Sequence, residues 1–191
     1  MDFTLPRKLQ ADNFTPLKRT PWAGTAITST IKDAVLPGRV GEAVGESWEF
    51  SCDPQMPSRL VEGDMLLADY CRLGGERVLG EQVDRVDILV KLLHAASPLS
   101  LQLHPTDGDP NLKSSESGKP ESWLVWHCEP GAGLYLGFRE AIALDTLREL
   151  LESGADLRPH LQFVPVKPYD YFEILPHVPH AIGPGVLLLE P

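Results

Sequence analysis

The chain has 191 residues, of which 42% are hydrophobic, so it can bury the core of one domain, or of one domain with a small appendage. Its formal charge of −10, with no offsetting block of Lys or Arg, argues against binding to nucleic acid or to a membrane. Three cysteines without a CxxC pair, no apolar run of spanning length and no secretion signal predict free thiols and a cytoplasmic location.

Short strands dominate the predicted structure, because eighteen prolines and sixteen glycines interrupt the chain. Apolar spacings of three and four predict helices over 59–73 and 140–153, the second closed by Gly154. Residues 105–120 are polar and rich in turn residues, which indicates a long loop. This pattern favours an all-β sandwich or barrel. The predicted strands, in chain order, are 88–93, 99–104, 122–127, 133–138, 164–166, 170–175 and 186–189.

The strand predicted over 99–104 alternates three leucines with three polar residues. Strict alternation puts Ser100, Gln102 and His104 on one face, opposite the leucines. Such a polar face lies either against solvent or along a polar cavity. The strand by itself does not distinguish these alternatives.

A carboxylate and a second imidazole follow later in the chain, in Lys119-Pro120-Glu121 and at His180. Two imidazoles, a carboxylate and an amide oxygen suit zinc and leave a position open for catalysis. Residues three apart on a strand face opposite sides, so His177 and His180 should not bind one metal, and we prefer His180 chiefly for the HAIG motif that begins with it. Trp123 and Trp126, on the strand after Glu121, are interpreted as core or cavity-wall aromatics.

Several motifs resemble, in order, the signatures of the class I mannose-6-phosphate isomerases. The most selective series is PLSLQLHP at 98–105, KPE at 119–121 and HAIG at 180–183. WAGT at 22–25, GESW at 45–48 and LGFR at 136–139 resemble further blocks of that family. The spacing from Glu121 to His180 is similar to that of the short bacterial form.

The resemblance implies a mainly β fold, the cupin-type double-stranded β-helix or jelly-roll barrel, with a few short helices. It implies one catalytic domain over 1–191, without the family's C-terminal barrel. Lys119 matches an active-site lysine, and Ser100 matches a position facing the substrate phosphate. Arg139 is either a candidate phosphate contact or a partner in a surface salt bridge. One Zn²⁺ per chain would be held by Gln102, His104, Glu121 and His180.

The implied reaction interconverts mannose 6-phosphate and fructose 6-phosphate by proton transfer between C1 and C2, in carbohydrate metabolism. Lys119 is the candidate for electrostatic stabilisation or proton transfer, and the identity of the base stays open. The expected partner is a small sugar phosphate, with no nucleic acid or membrane, and the expected state is a monomer or weak homodimer. The family's downstream arginine has no counterpart before Pro191, so we expect zinc binding with weak isomerisation.

Two other functions compete with the isomerase. The first is a metal-binding cupin that recognises a sugar phosphate without converting it, which the absent arginine favours. The second is a metal-dependent cupin oxygenase. An oxygenase iron site normally has more histidines, so Gln102 and Glu121 argue against it.

Overall fold

The computed structural model describes residues 2–80, 86–113 and 116–191. Contacts between Cα atoms divide the chain into two compact units, residues 1–94 with 189–191, and residues 95–188. Short antiparallel strands dominate the second unit, and the helices of both units are short, as predicted. Within the described residues, no helix has the length and apolar character needed to cross a membrane. A single catalytic domain over 1–191 stays a prediction.

The first unit contains an antiparallel pair of strands, β1 at Glu46–Phe50 and β2 at Val90–Ala95. The sequence prediction missed β1 and began β2 two residues early. A π-helical segment, a 3-10 turn and two short helices complete this unit. Their bounds are Ile27–Ile31, Pro37–Arg39, α1 at Leu67–Gly74 and α2 at Glu76–Leu79.

The helix predicted over 59–73 is wrong in its first half. Gly63 and Asp64 have positive φ angles of 77° and 53°, which belong to a tight turn and not to a helix. Arg59 and Leu66 form an isolated antiparallel bridge across that turn. Helix α1 therefore begins only after the Gly-Asp pair.

The second unit is built from antiparallel strands. Their bounds are β3 at Glu121–Cys128, β4 at Gly133–Phe138, β5 at Leu161–Pro165, β6 at Tyr171–Ile174, β7 at His180–Ile182 and β8 at Val186–Glu190. The last residues of β8 belong to the first unit. Strand β3 pairs with β6, and β4 lies between β5 and β7. The predictions of β3, β4, β6 and β8 are confirmed to within one residue at each end. The prediction of β5 began three residues late, and β7 was not predicted as a strand.

Helix α3 spans Leu144–Glu152, so its predicted start at residue 140 is wrong by four residues. Ala143 is extended, and Asp145 then lies in the first turn, where a carboxylate interacts favourably with the helix dipole. The predicted C-cap is confirmed: Gly154 has φ 68°, and the N–H groups of Gly154 and Ala155 bond to carbonyls of the last turn.

Strand β3 shows the alternation that positions the candidate site. Glu121, Trp123 and Val125 are buried, whereas the side chains between them face outward and are half-buried. The interpretation of Trp123 as a core aromatic is confirmed by its exposure of 2%. The same interpretation of Trp126 is wrong: it lies on the outward face and is 47% exposed.

The segment 99–104 is not a regular strand, contrary to the prediction. The N–H of Leu99 bonds to O of Ile182 at 3.0 Å, and the N–H of Gln102 bonds to O of His180 at 2.9 Å. Between these two bonds the chain advances three residues on one side, from Leu99 to Gln102, and two on the other, from Ile182 to His180. One extra residue on one side of an antiparallel pair is a β-bulge. The extra residue breaks the alternation, and Leu103 is 55% exposed instead of packing in a core. The described part of 105–120 contains no helix or strand, as predicted for a loop. Ser114 and Ser115 lie outside the described residues.

Candidate metal centre

Three side chains predicted as ligands converge in the second unit. Donor atoms of His104, Glu121 and His180 all lie within 4.8 Å of one another. Nε2 of His104 is 3.2 Å from Oε1 of Glu121, and Nε2 of His180 is 3.4 Å from Oε2. Ligands of a tetrahedral zinc bound at 2.0–2.2 Å are separated by roughly 3.4 Å. The spacing of the donors therefore fits one small divalent ion.

Glu121 is the charged centre of this group. Pro120 directly before it is tolerated because it precedes the strand, and the alternation of β3 then turns the carboxylate inward, where Glu121 is 6% exposed. Burial by itself would raise the pKa of the Glu121 carboxyl. The interactions with His180, Lys119 and His104 outweigh burial and lower that pKa to about 2. The carboxylate is therefore ionised at any physiological pH.

The tautomer of His180 follows from its hydrogen bond. Nδ1 of His180 lies 2.8 Å from O of Val178. A carbonyl oxygen can only accept, so Nδ1 carries the proton, and Nε2 of the neutral ring presents a lone pair to the carboxylate of Glu121. Two lone pairs facing each other beside a His180 ring that is 2% exposed require a positive charge between them. A proton on the ring or a bound metal ion supplies that charge.

The backbone places Gln102 beside the three donors. Gln102 and His180 exchange both backbone hydrogen bonds at 2.9 Å, as directly opposed residues of an antiparallel pair do. Opposed residues project their side chains on the same side, so the side chain of Gln102 emerges on the side of the His180 imidazole. Gln102 is solvent-exposed, unlike His180. Its role as a fourth ligand stays a prediction.

Lys119 lies at the entrance of the group. Its Nζ contacts Oε1 of Glu121, and its side chain is 42% exposed, whereas that of Glu121 is 3% exposed. The loop is held near the site by two hydrogen bonds, from the N–H of Lys119 to O of Pro105 and from the N–H of Gly118 to Oδ1 of Asp107. Lys119 therefore joins the buried carboxylate to solvent.

Ser100 and Arg139 lie in two clefts that are separate from these donors. Ser100 lines a cleft of about 400 Å³ with Arg158, and Arg139 lines one of about 330 Å³ with His160. Among the described residues, neither lining includes His104, Glu121 or His180. The predicted contacts of Ser100 and Arg139 with a substrate phosphate stay predictions.

His177 stands outside the group, in agreement with the preference for His180. It is exposed, has φ 64°, and donates its N–H to O of His104 at 2.9 Å. Two contributors were not predicted as parts of the site: Trp123, whose ring packs edge-on against His180, and the carbonyl of Val178. The alternation of β3 was the available signal for Trp123, because it lies two residues after Glu121.

Comparison with known proteins connects this chain to one family of isomerases. Residues 17–125, more than half of the chain, match the family described as phosphomannose isomerase type I, catalytic domain. Mannose-6-phosphate isomerase ManA of Bacillus subtilis is 31% identical over 181 residues, which cover 91% of this chain and 54% of ManA. The chain thus spans about half the length of the curated relatives it matches.

Solved structures extend the likeness to the fold. The mannose 6-phosphate isomerase of Bacillus subtilis superposes with a TM-score of 0.68 at 26% identity, covering 97% of this chain and 56% of that protein. The isomerase of Salmonella typhimurium, solved with fructose 6-phosphate and zinc, gives 0.63 at 17% identity, covering 96% and 66%. The predicted cupin-type fold is thereby confirmed. From its sequence match and its fold, the chain belongs to the type I phosphomannose isomerases.

Proposed function

We propose that this chain carries the zinc-dependent active site of a mannose-6-phosphate isomerase, which interconverts mannose 6-phosphate and fructose 6-phosphate. The observation that carries this proposal is the convergence of two imidazoles on one buried carboxylate, in a chain of this family. Its relatives in Bacillus subtilis and Streptococcus mutans are named mannose-6-phosphate isomerases, and the isomerase of Salmonella typhimurium was solved with fructose 6-phosphate as its substrate.

Zinc is the metal that we propose for the site. His104, Glu121 and His180 offer two imidazole nitrogens and a carboxylate, and Gln102 would add an amide oxygen as the fourth donor. This set has the nitrogen and oxygen ligands that zinc accepts, and an additional position can stay open to substrate. Zinc at this site would supply positive charge that polarises the oxygens on C1 and C2 of the substrate.

The conversion of aldose to ketose moves two protons. One leaves C2 and returns at C1, while the hydroxyl proton on O2 moves to O1, so that no atom is gained or lost. Lys119 is suited to this chemistry because its ammonium contacts the buried Glu121 carboxylate and yet is 42% exposed toward solvent. We propose that it stabilises the negative charge of the enediol-like intermediate or carries one of these protons.

The burial of the donor groups supports this role. Glu121 and His180 are 6% and 2% exposed, so water has little access to their donor atoms. A charge on Lys119 acts more strongly beside such a dry site than it would in bulk solvent. Arg139 and Ser100 are proposed as contacts for the substrate phosphate on the strength of the family motifs alone.

The test combines zinc analysis with a coupled isomerase assay on the purified chain. The His104→Ala variant should lose both stoichiometric zinc and turnover, whereas Lys119→Met should keep zinc and lose turnover. His127→Ala is the matched control, since His127 is exposed on the outer part of β3, and it should keep both. Stoichiometric zinc in a wild-type chain without turnover would favour the metal-binding cupin that does not isomerise. Zinc retained by His104→Ala would refute the site.

A further inference from the structure

Trp123 packs directly against the ring of His180. The ring centroids are 5.4 Å apart and the planes are inclined by 81°, an edge-to-face arrangement. Trp123 and His180 are each 2% exposed, so little space remains around either ring. Trp123 is also two residues from Glu121 on β3, and both side chains are buried on the same face. One strand therefore supplies a candidate ligand and the side chain that packs on another ligand.

The imidazole of His180 is held from several directions. The ring of His104 lies 5.0 Å away, centroid to centroid, at an inclination of 49°. Nδ1 of His180 donates to O of Val178 at 2.8 Å, and the backbone of His180 pairs with β4 opposite Leu136. The last torsion of a histidine is intrinsically broad, so a hydrogen bond alone leaves the ring plane loosely defined. A large rigid neighbour restricts that torsion.

We propose that Trp123 is a positioning residue of the metal centre, which holds the His180 ring so that Nδ1–H meets Val178 and Nε2 faces Glu121. The indole stands nearly perpendicular to the imidazole, so turning the imidazole about its Cβ–Cγ bond would drive it into the indole. The metal in this inference rests on the proposed function, but the orientation of His180 is a property of the chain itself. A residue that only fills the core would not affect ligand orientation.

Zinc affinity, measured by competition with a chelator, separates positioning from packing. Trp123→Met removes the rigid ring but keeps a large apolar side chain, and we expect it to weaken zinc binding by about tenfold or more. Trp123→Phe keeps an aromatic edge and should stay within about threefold of wild type. Val125→Ala is the matched control: Val125 is 0% exposed on the same face of β3, two residues farther from Glu121. It should lower the melting temperature with less than about a threefold change in zinc affinity.

A metal-free measurement keeps this inference separate from the proposed function. In ¹⁵N-histidine NMR spectra of the chain without zinc, the Nδ1–H signal of His180 should be resolved and slow to exchange with water in wild type and in Trp123→Phe, and broadened by exchange in Trp123→Met. Unchanged zinc affinity and a slowly exchanging Nδ1–H in Trp123→Met would overturn the proposal, even if it melts as early as Val125→Ala. If Trp123→Met does not fold, Trp123→Leu replaces it. Zinc affinity and the NMR spectra can both be interpreted even if the chain has no isomerase activity.

Discussion

The His104, Glu121 and His180 group and the clefts at Ser100 and Arg139 belong to the same unit but differ in construction. In the ligand group Glu121 and His180 are buried and His104 is half-buried, and each member is held by at least one neighbour through a hydrogen bond, an ionic contact or a ring contact. Ser100 and Arg139 are exposed on open clefts. The metal chemistry thus depends on a rigid interior, whereas the candidate phosphate contacts lie on a surface that a ligand has still to organise.

Replacing the buried carboxylate should have the largest effect. Glu121→Gln removes the charge on which both histidines and Lys119 converge, so zinc affinity should fall by more than the roughly 100-fold that loss of a second-shell contact can cost. Isothermal titration with zinc measures the change. Glu173→Gln on β6 is the control, because Glu173 is exposed opposite Ser122, and it should bind zinc normally. Equal affinities in the two variants would remove Glu121 from the site.

Acidification should release zinc through the histidines and not through the carboxylate. Imidazoles bind metal only when neutral, so protons compete with zinc for His104 and His180. Glu121, with its pKa lowered to about 2, stays ionised from pH 7.5 to 5.5. Over that range we expect zinc affinity to fall, while the circular dichroism of the fold is retained.

The contribution of the Glu121 carboxylate to folding is lost on acidification, as zinc is, but at lower pH. Because its pKa is lowered on folding, Glu121 stabilises the fold above the unfolded carboxyl pKa, and this stabilisation is lost as the pH falls toward about 2. Zinc and fold should therefore be lost in separate pH windows. Zinc that is retained down to pH 4 would contradict ligation by two histidines.

Changes in the open clefts should have smaller effects. Arg139→Met and Ser100→Ala should raise the KM of the isomerase reaction by about three- to tenfold, with zinc content unchanged, since an exposed charged contact contributes little. Arg148→Met on α3, where Arg148 pairs with the exposed Asp145, is the matched control for Arg139 and should leave KM unaltered. An identical KM in all three variants would locate phosphate recognition elsewhere.

The smallest effect is expected at the end of α3, which has no buried residue. Gly154→Ala places a Cβ at φ 68° and should cost about 1 kcal/mol of unfolding free energy, whereas Gly154→Asn should cost less. Urea unfolding measures both variants. Zinc affinity should stay at the wild-type value, and a loss of zinc in Gly154→Ala would show that this surface and the ligand group are coupled.

The sequence predicted a strand such as β3, in which buried and half-buried residues alternate, because period-two burial leaves a direct signal. It failed where a turn interrupted an amphipathic spacing, at Gly63 and Asp64, and where α3 began at its acidic first turn. The segment 99–104 had a perfect alternation and yet is bulged. Local pattern cannot reveal a bulge, which exists only relative to the chain opposite.

By itself, the sequence determined the chemical identity of the site: the kinds and order of His104, Glu121 and His180, and the family that their motifs resemble. Tertiary structure alone decided that β7 carries His180 to the carboxylate of β3, that the Val178 carbonyl selects its tautomer, and that Trp123 packs on its ring. The physical reason is the separation along the chain of the residues on which each property depends. Donor type is a property of one residue, whereas distance, burial and ring orientation depend on groups that are separated by up to 76 positions in the chain and meet only on folding.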